Sequence, residues 1–161
     1  MQLLDVSLCR EAILTVQDLV KTFMVEDKRD AVAVVIADPL CIPGSINRTQ
    51  WMYHGGILLR EYFGDESKCE TRYSVFASHK AWLSWQHRLS TRVIQEERPY
   101  LLEKDDLLYY GSVYYEGIVV ATSGLTQEHD EEVSTFTAKR LVELSRAKRS
   151  KLDPNVSAFL Q

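Results

Sequence analysis

The sequence predicts an α+β domain in which helices pack on the faces of a central antiparallel sheet. Helical and strand patterns follow one another in the order α-β-β-α-β-β-α, so that helices separate pairs of strands. A length of 161 residues suits one domain, and 45% hydrophobic with 26% charged residues is ordinary for a globular chain. We assign residues 1–150 to that domain and 151–161 to a C-terminal tail.

The first helix and the first strand have clear patterns. Residues 7–25 read as a helix with Ser7 as its N-cap, and its apolar side chains recur at three- and four-residue steps: Ile13, Val16, Leu19 or Val20, and Phe23. The run "AVAVVIAD", residues 31–38, is short, apolar and β-branched, which is typical of a strand buried on both faces. Prolines and glycine then predict a loop over residues 39–54.

The middle of the chain continues with a strand and a long helix. The run "GGILLREYF", residues 55–63, predicts the second strand, and residues 73–97 predict one helix that Pro99 ends. Its expected inward stripe is apolar but interrupted: Val75, His79, Trp82 or Leu83, Gln86, Leu89 and Val93.

A hairpin and a final helix complete the pattern. Strands over residues 106–115 and 117–124 meet at Glu116-Gly117, which is a hairpin turn signal. The last helix is predicted over residues 126–149, with a core stripe of Val133, Thr137, Leu141 and Leu144. In the tail, Val156, Phe159 and Leu160 would be costly to leave bare, so they dock either on a neighbouring subunit or on their own domain.

Composition narrows the classes of function. The net charge of −4 gives no positive field for nucleic acid, and the basic cluster at residues 147–151 suits a helix C-terminus. Three scattered cysteines contain no C-x-x-C pair, which fits free thiols in a reducing compartment. No stretch has the length of a membrane span or the form of a signal peptide. We therefore expect a soluble, cytoplasmic protein that binds neither nucleic acid nor membrane.

The junction "GIVVATSGLTQEHDEEV", residues 117–133, has two interpretations. In the first, Thr126 caps the final helix and the acids after it complement the helix dipole. In the second, a glycine-bent strand entering a helix leaves backbone amides free to hold an anion, although the acids would oppose a phosphate. A metal would need His129 with Glu132 or another carboxylate, and because no third ligand is apparent we predict no metal site.

The same junction resembles the closing motif of the GlcG/HbpS-like family, in which a strand ending in Ser-Gly leads through a turn to Glu-x-Asp and a last helix. The run at residues 31–38 is similar to that family's first strand, and "SHKAWLSW" at residues 78–85 resembles its Lys-Ala helix segment. "YYGSVYY" stands in place of a Gly-Gly strand, with Tyr110-Gly111 replacing the pair. The loop over residues 39–54 is longer than the family's hairpin.

The resemblance implies a profilin-like, three-layer α/β/α fold. It also implies a homo-oligomer, since members of the family form rings or larger assemblies. Some members bind haem or a related tetrapyrrole, whereas others are linked to protein partners and many have no assigned activity. Haem would need one proximal histidine in an apolar pocket, and the chain offers four histidines: His54, His79, His87 and His129.

Three functions stay open from the sequence. The first is a non-enzymatic, homo-oligomeric scaffold or partner-binding domain. The second is a protein that binds a small ligand, such as haem or another tetrapyrrole. The third is an enzyme that uses the acids of the final strand–helix turn. We expect any site near that turn and the Lys80 helix, and its candidate residues are Arg60, His79, Lys80, Gly111, Ser123, Gly124, His129 and Asp130.

Overall fold

The central feature of the fold is a four-stranded antiparallel sheet in the order β2-β1-β4-β3. The computed structural model describes residues 2–41 and 46–161. Its strands are β1 (Ala31–Ala37), β2 (Ile57–Gly64), β3 (Ser112–Tyr115) and β4 (Ile118–Ser123). Each neighbouring pair runs antiparallel, and β1 and β4 occupy the centre.

Helices cover both faces of this sheet. They are α1 (Val6–Glu26), α2 (Arg48–Tyr53), α3 (Glu66–Lys68), α4 (Ser74–His87), α5 (Thr91–Glu97) and α6 (Gln127–Ser150). A π-helical turn, Cys69–Tyr73, joins α3 to α4, and a 3₁₀ turn, Pro99–Leu101, follows α5. Helices α1 and α6 pack on one face, and α4 packs with α2 on the other. The predicted three-layer α/β/α fold with a central antiparallel sheet is confirmed.

Strand β1 divides the core into two layers because successive side chains point to opposite faces. Val32, Val34 and Ile36 belong to the core under α1 and α6, whereas Val35 and Ala37 belong to the core that contains the α4 tryptophans. All seven residues of β1 are buried. This is why the strand reads as a continuous apolar run without polar alternation.

Helices α1 and α6 and the β3–β4 hairpin agree with prediction. The predicted stripes are buried, with Leu19 and Leu144 partly buried at their edges. Thr126 caps α6 by accepting a hydrogen bond from the His129 amide at 3.3 Å. At α1, however, the prediction of Ser7 as N-cap is wrong. Asp5 accepts from the Leu8 amide instead, because Asp5 has the extended backbone that a cap requires.

The predicted loop over residues 39–54 contains a helix, α2. Asn47 and Gln50 form a reciprocal capping box at its start, a signal that the prolines and glycine of the same stretch obscured. Pro43 and Gly44 lie outside the described residues.

The prediction of one long helix over residues 73–97 is wrong, because the chain breaks between α4 and α5. Arg88 adopts the left-handed conformation (φ 54°, ψ 42°), and neither glycine nor proline marks the position. The break turns α5 so that the Thr91 hydroxyl reaches the start of β3. A tertiary contact therefore overrides the local helical preference.

The predicted inward stripe of this segment is only partly right: Trp82 and Leu83 are buried, whereas Val75, His79, Leu89 and Val93 are only partly buried. Gln86 is exposed, and the buried face consists of small residues with Lys80 and the tryptophans: Ser74, Ala77, Ser78, Lys80, Ala81, Trp82, Leu83, Ser84 and Trp85. Small side chains allow α4 to approach the sheet closely. Strand β3 is shorter than the predicted range of residues 106–115, since only Ser112–Tyr115 pair with β4.

Within the described residues, no helix is both long enough and apolar enough to cross a membrane.

Candidate functional site

The centre of the site is a buried ion pair between Lys80 on α4 and Asp130 on α6. The Lys80 ammonium lies 3.0 Å from Asp130 Oδ2 and donates to the Thr122 carbonyl at 2.9 Å. The other carboxylate oxygen, Oδ1, accepts from the Leu125 amide at 3.0 Å. The two side chains are only 2% and 3% exposed. The pair therefore joins the helices of opposite layers across the end of β4.

Burial dominates the titration of this pair. It raises the pKa of Asp130 to about 6, even though the neighbouring Lys80 charge favours the carboxylate. It also lowers the pKa of Lys80, against the opposing effect of Asp130. The charges are stabilised by each other and by backbone groups, because both side chains are almost fully buried.

Two glycines make the close packing around the pair possible. A Cβ at Gly111 would lie 2.8 Å from Asp130 Cβ and 2.9 Å from Lys80 Nζ, and Gly111 has a φ of +146°. A Cβ at Gly124 would lie 2.3 Å from the Ala31 carbonyl oxygen, at a φ of +128°. Side chains at these positions would clash and strain the backbone. Gly111 thus leaves room for the ammonium, and Gly124 sets the path from β4 into α6.

A buried hydroxyl network surrounds the pair. Thr91 Oγ1 accepts from the amides of Gly111 and Ser112, both at 3.0 Å. The Ser112 hydroxyl donates to the Lys80 carbonyl at 2.8 Å and lies 2.6 Å from Ser84 Oγ. Ser134 donates to the Gly111 carbonyl at 2.6 Å. Helices α4, α5 and α6 are therefore all fixed to the start of β3.

A pocket of about 190 Å³ opens above the ion pair. Three cations line it, Arg29, Arg72 and Lys80, together with the single acid Asp130. Its remaining lining is aromatic or comes from the β4–α6 junction: Tyr73, Phe76, Tyr109, Ser123, Gly124, Leu125 and Gln127. The Arg72 guanidinium carbon lies 5.6 Å and 5.5 Å from the ring centroids of Tyr73 and Phe76. We call this cavity the basic pocket.

The acids of the β4–α6 junction face away from the basic pocket, apart from Asp130. Glu128 accepts from the Tyr110 hydroxyl at 3.0 Å, and Glu131 accepts from Arg92 at 3.0 Å. The anion cradle of backbone amides is not formed, since the amides of Leu125 and Thr126 already donate to Asp130 and Asp27. Side-chain cations, rather than the helix N-terminus, give the pocket its charge.

His129 points to the opposite side, toward the end of α1. Its Nδ1 lies 2.9 Å from both Asp27 carboxylate oxygens, and its ring stacks on Phe23 with centroids 3.8 Å apart. Desolvation lowers the pKa of His129, but the hydrogen bond and the charge of Asp27 outweigh it, so that the net shift is upward. Asp27 also accepts from the Thr126 amide at 3.0 Å. His129 therefore fastens α1 to α6 and does not line the basic pocket.

Two further candidates lie away from the basic pocket. The Arg60 guanidinium donates to the Met52 carbonyl and so ties β2 to α2. His79 is half-buried, and burial followed by the charge of Arg48 lowers its pKa against the effect of Asp106. Of the eight candidates, the structure thus brings together Lys80, Gly111, Ser123, Gly124 and Asp130 at one place. Among them, Gly111 packs beneath the pocket and the other four line it.

Arg29, Arg72 and Phe76 were not identified from the sequence as lining residues. Part of the signal was present, because Arg72, Phe76 and Lys80 follow at four-residue steps and such residues share one helix face. Arg29 lies in the polar connection after α1, where the sequence gives no indication of the direction in which a side chain points. Across residues 2–41 and 46–161, no group of three or more His, Cys, Asp and Glu side chains is arranged to hold a metal ion.

Comparison with known proteins identifies a similar fold. No protein-family model matches the chain, and no curated protein matches it in sequence. Among solved structures, the chain is similar to the crystal structure of Klebsiella pneumoniae protein ORFY, of the DUF336 family, which is known as GlcG-like. The identity is 16% and the TM-score 0.52, over 95% of this chain and 92% of that chain. At this level of identity the similarity shows the fold.

Proposed function

We propose that this chain is a GlcG-like protein that binds a small ligand in the basic pocket and carries out no reaction on it. One observation carries the proposal: Arg29 and Arg72 open on the same cavity as Lys80, and neither guanidinium pairs with a carboxylate of the described chain. Unpaired cations above a buried, fixed ion pair form a surface prepared to receive a partner.

Binding is favoured over catalysis because the acid at the base of the pocket is already occupied. Asp130 uses one oxygen for Lys80 and the other for the Leu125 amide. Ser123 lines the pocket, but no histidine does, so the Ser-His arrangement of many hydrolases is absent from this lining. The acids of the final turn, which the enzyme alternative would employ, are engaged elsewhere.

Volume and lining argue for a ligand smaller than a tetrapyrrole. Pockets for drug-sized ligands have volumes of about 300–1,000 Å³, whereas the basic pocket has about 190 Å³. Haem would also need an axial ligand, and His79 and His129 lie outside the lining. A haem site would have to be built elsewhere on the molecule.

Family membership is supported by two independent features. The fold resembles that of a DUF336 protein over almost the whole chain. In addition, Lys80, Gly111 and Asp130, which lie in the segments that resemble GlcG-like motifs, meet in space although they are far apart in sequence. All three cysteines are free thiols, which supports the cytoplasm as the compartment.

Native mass spectrometry on protein purified without added ligand tests the proposal. We expect a reproducible extra mass on each chain, and we expect Arg72→Glu to lose it because the substitution reverses a charge in the lining. Arg98→Glu is the matched control, since Arg98 is exposed and does not line the pocket. An extra mass that persists in Arg72→Glu would place the ligand elsewhere. A bare chain that also shows no amide shift at Gly124 in a metabolite extract would contradict binding.

A second candidate is the homo-oligomeric scaffold or partner-binding role, and the tail favours it. Val156 and Phe159 are 85% and 84% exposed, and Phe136 on α6 is 51% exposed. Burying such side chains stabilises by about 1.5–3 kcal/mol each, so an assembly would gain from covering them. Light scattering on the chain and on Phe159→Ser tests this role. We expect a defined oligomer that the substitution weakens, and a monomer in both cases would contradict it.

A further inference from the structure

The basic pocket also carries information about the class of its ligand. This step rests on the proposed function, because it concerns the same cavity. Three cations face one acid, and that acid is neutralised by Lys80. The ammonium of Lys80 has three N–H groups, and it donates to two acceptors of the described chain. The third N–H has no acceptor among the described residues, and Lys80 lies in the lining of the basic pocket.

Arg29 and Arg72 add further N–H donors for a ligand acceptor at the mouth of the pocket. A guanidinium is planar and offers paired N–H groups that match a carboxylate better than a single-point anion. The rings of Tyr73 and Phe76 hold the Arg72 guanidinium by cation–π contact at 5.6 Å and 5.5 Å. Arg72 is thus oriented toward the pocket before a ligand arrives, which reduces the entropy lost on binding.

The aromatic wall adds a requirement of shape. Phe76 and Tyr109 lie side by side with centroids 6.5 Å apart and an interplanar angle of 31°. Both line the pocket, and Tyr109 is 55% exposed. A flat apolar group gains by stacking on such a surface. The small volume limits that group to a single ring.

The backbone beneath Arg72 supports a dedicated site. Arg72 and Tyr73 lie in the π-helical turn Cys69–Tyr73. Such turns are rare in proteins overall, but those that occur are frequently at functional sites. They rotate side chains away from the regular helical direction. Here the turn precedes α4, and Arg72 lines the same cavity as Phe76 and Lys80.

We infer that the basic pocket binds a compact, planar organic carboxylate, with the carboxylate between Arg72 and Lys80 and the ring against Phe76 and Tyr109. Arg29 contributes a second guanidinium from the α1–β1 connection. The ligand thereby bridges this connection, the π-helical turn and the loop before β3.

Isothermal titration with three matched probes tests this inference. Benzoate has the charge and the flat ring, benzamide has the ring without the charge, and cyclohexanecarboxylate has the charge without the flat ring. We expect benzoate to bind at least about 10-fold more tightly than benzamide, because hydrogen bonds to charged groups are worth more than neutral ones. We expect cyclohexanecarboxylate to bind several-fold more weakly than benzoate.

Variants locate the binding. Arg72→Gln is expected to weaken benzoate about 10-fold or more, and Arg98→Gln is expected to leave it unchanged. Amide shifts at Gly124 and Leu125 are expected to follow the titration. Equal binding of benzamide and benzoate, or an unchanged affinity in Arg72→Gln, would overturn the inference. If no probe binds while native mass spectrometry finds a pocket ligand, the class assigned here is wrong and the binding function stands.

Discussion

At the scale of single residues, the organisation of the site depends on one ion pair that is almost fully buried. Removing one partner of such a pair leaves an uncompensated charge, which is expensive, whereas replacing both by apolar groups often costs little. Lys80 and Asp130 meet this description, with exposures of 2% and 3%. The stability of the whole domain is therefore coupled to the integrity of the candidate site.

The first prediction concerns this pair. Lys80→Met is expected to lower the free energy of unfolding by about 3–5 kcal/mol, since Asp130 stays buried without its cation. Adding Asp130→Leu is expected to recover part of the loss, although the Leu125 amide then lacks its acceptor. Urea unfolding of the single and double variants measures both. A double variant that loses the sum of the two single losses would show that the residues are not coupled.

The second prediction concerns Gly111. Gly111→Ala places a Cβ within 3 Å of Asp130, Lys80 and Thr122, so it should destabilise the fold by about 1–3 kcal/mol more than strain alone. Gly117→Ala is the matched control, because Gly117 also has positive φ but no heavy atom lies within 4 Å of the added Cβ. Equal unfolding midpoints and equal denaturant slopes for the two variants would contradict the close packing.

At the scale of elements, sequence and structure agree where local chemistry decides the outcome. The cap of α6 at Thr126, the stripes of α1 and α6 and the buried run of β1 all follow from residue type and spacing. The end of α4 at Arg88 does not follow from residue type and spacing, because contacts of Thr91 with Gly111 and with Ser112 at the start of β3 fix it. The sequence at the start of α2 contains a capping box, but the neighbouring prolines predicted a loop instead.

The third prediction tests this tertiary control of the α4–α5 break. Thr91→Val removes the acceptor of two buried amides, those of Gly111 and Ser112. Each unsatisfied group costs about 1–3 kcal/mol, so a loss of at least about 2 kcal/mol is expected in chemical denaturation. Thr135→Val is the control, because Thr135 only donates to the Glu131 carbonyl within its own helix. A Thr91→Val variant as stable as the control would show that the network does not position α5.

The fourth prediction concerns the contact between α1 and α6. Partial desolvation lowers the pKa of His129, but the hydrogen bond and the charge of Asp27 outweigh it and raise this pKa overall. Desolvation raises the pKa of Asp27, but the hydrogen bonds from the Thr126 amide and His129 outweigh it and lower this pKa overall. The His129 contribution is complete below its unfolded pKa of about 6.5 and is lost as pH rises through the higher folded value. The Asp27 contribution is present above its unfolded pKa of 3.8 and is lost as pH falls through the lower folded value.

Stability measured against pH checks this sign. His129→Gln is expected to remove the decline on the alkaline side of pH 6.5, whereas His54→Gln, at an exposed position, should retain it. A His129→Gln curve parallel to that of the parent protein between pH 6 and 8 would contradict the assigned partner.

At the scale of the whole molecule, the charged groups of the site come from four separate parts of the chain. The α1–β1 connection supplies Arg29, the π-helical turn supplies Arg72, α4 supplies Lys80 and the β4–α6 junction supplies Asp130. The last two lie in two separate segments that resemble GlcG-like motifs, which is why Lys80 and Asp130 were both among the predicted site residues. The arginines lie on irregular backbone whose direction only the folded structure fixes. They were missed for that reason.

The molecule therefore combines a buried, hydrogen-bonded base with an exposed basic mouth. The base ties three helices to the sheet, and the mouth is the surface that we propose binds the ligand. The fold alone would not distinguish this arrangement from that of an unrelated function. The proposed binding function rests on Arg29 and Arg72, which pair with no carboxylate among the described residues.

The most direct test is a crystal structure of the protein purified without added ligand, at a resolution that separates water from an organic molecule. We expect continuous, flat density in the basic pocket, in contact with Arg72 and Lys80 and against Phe76. Density of this kind in another cavity, with only separate waters between Arg72 and Lys80, would contradict it.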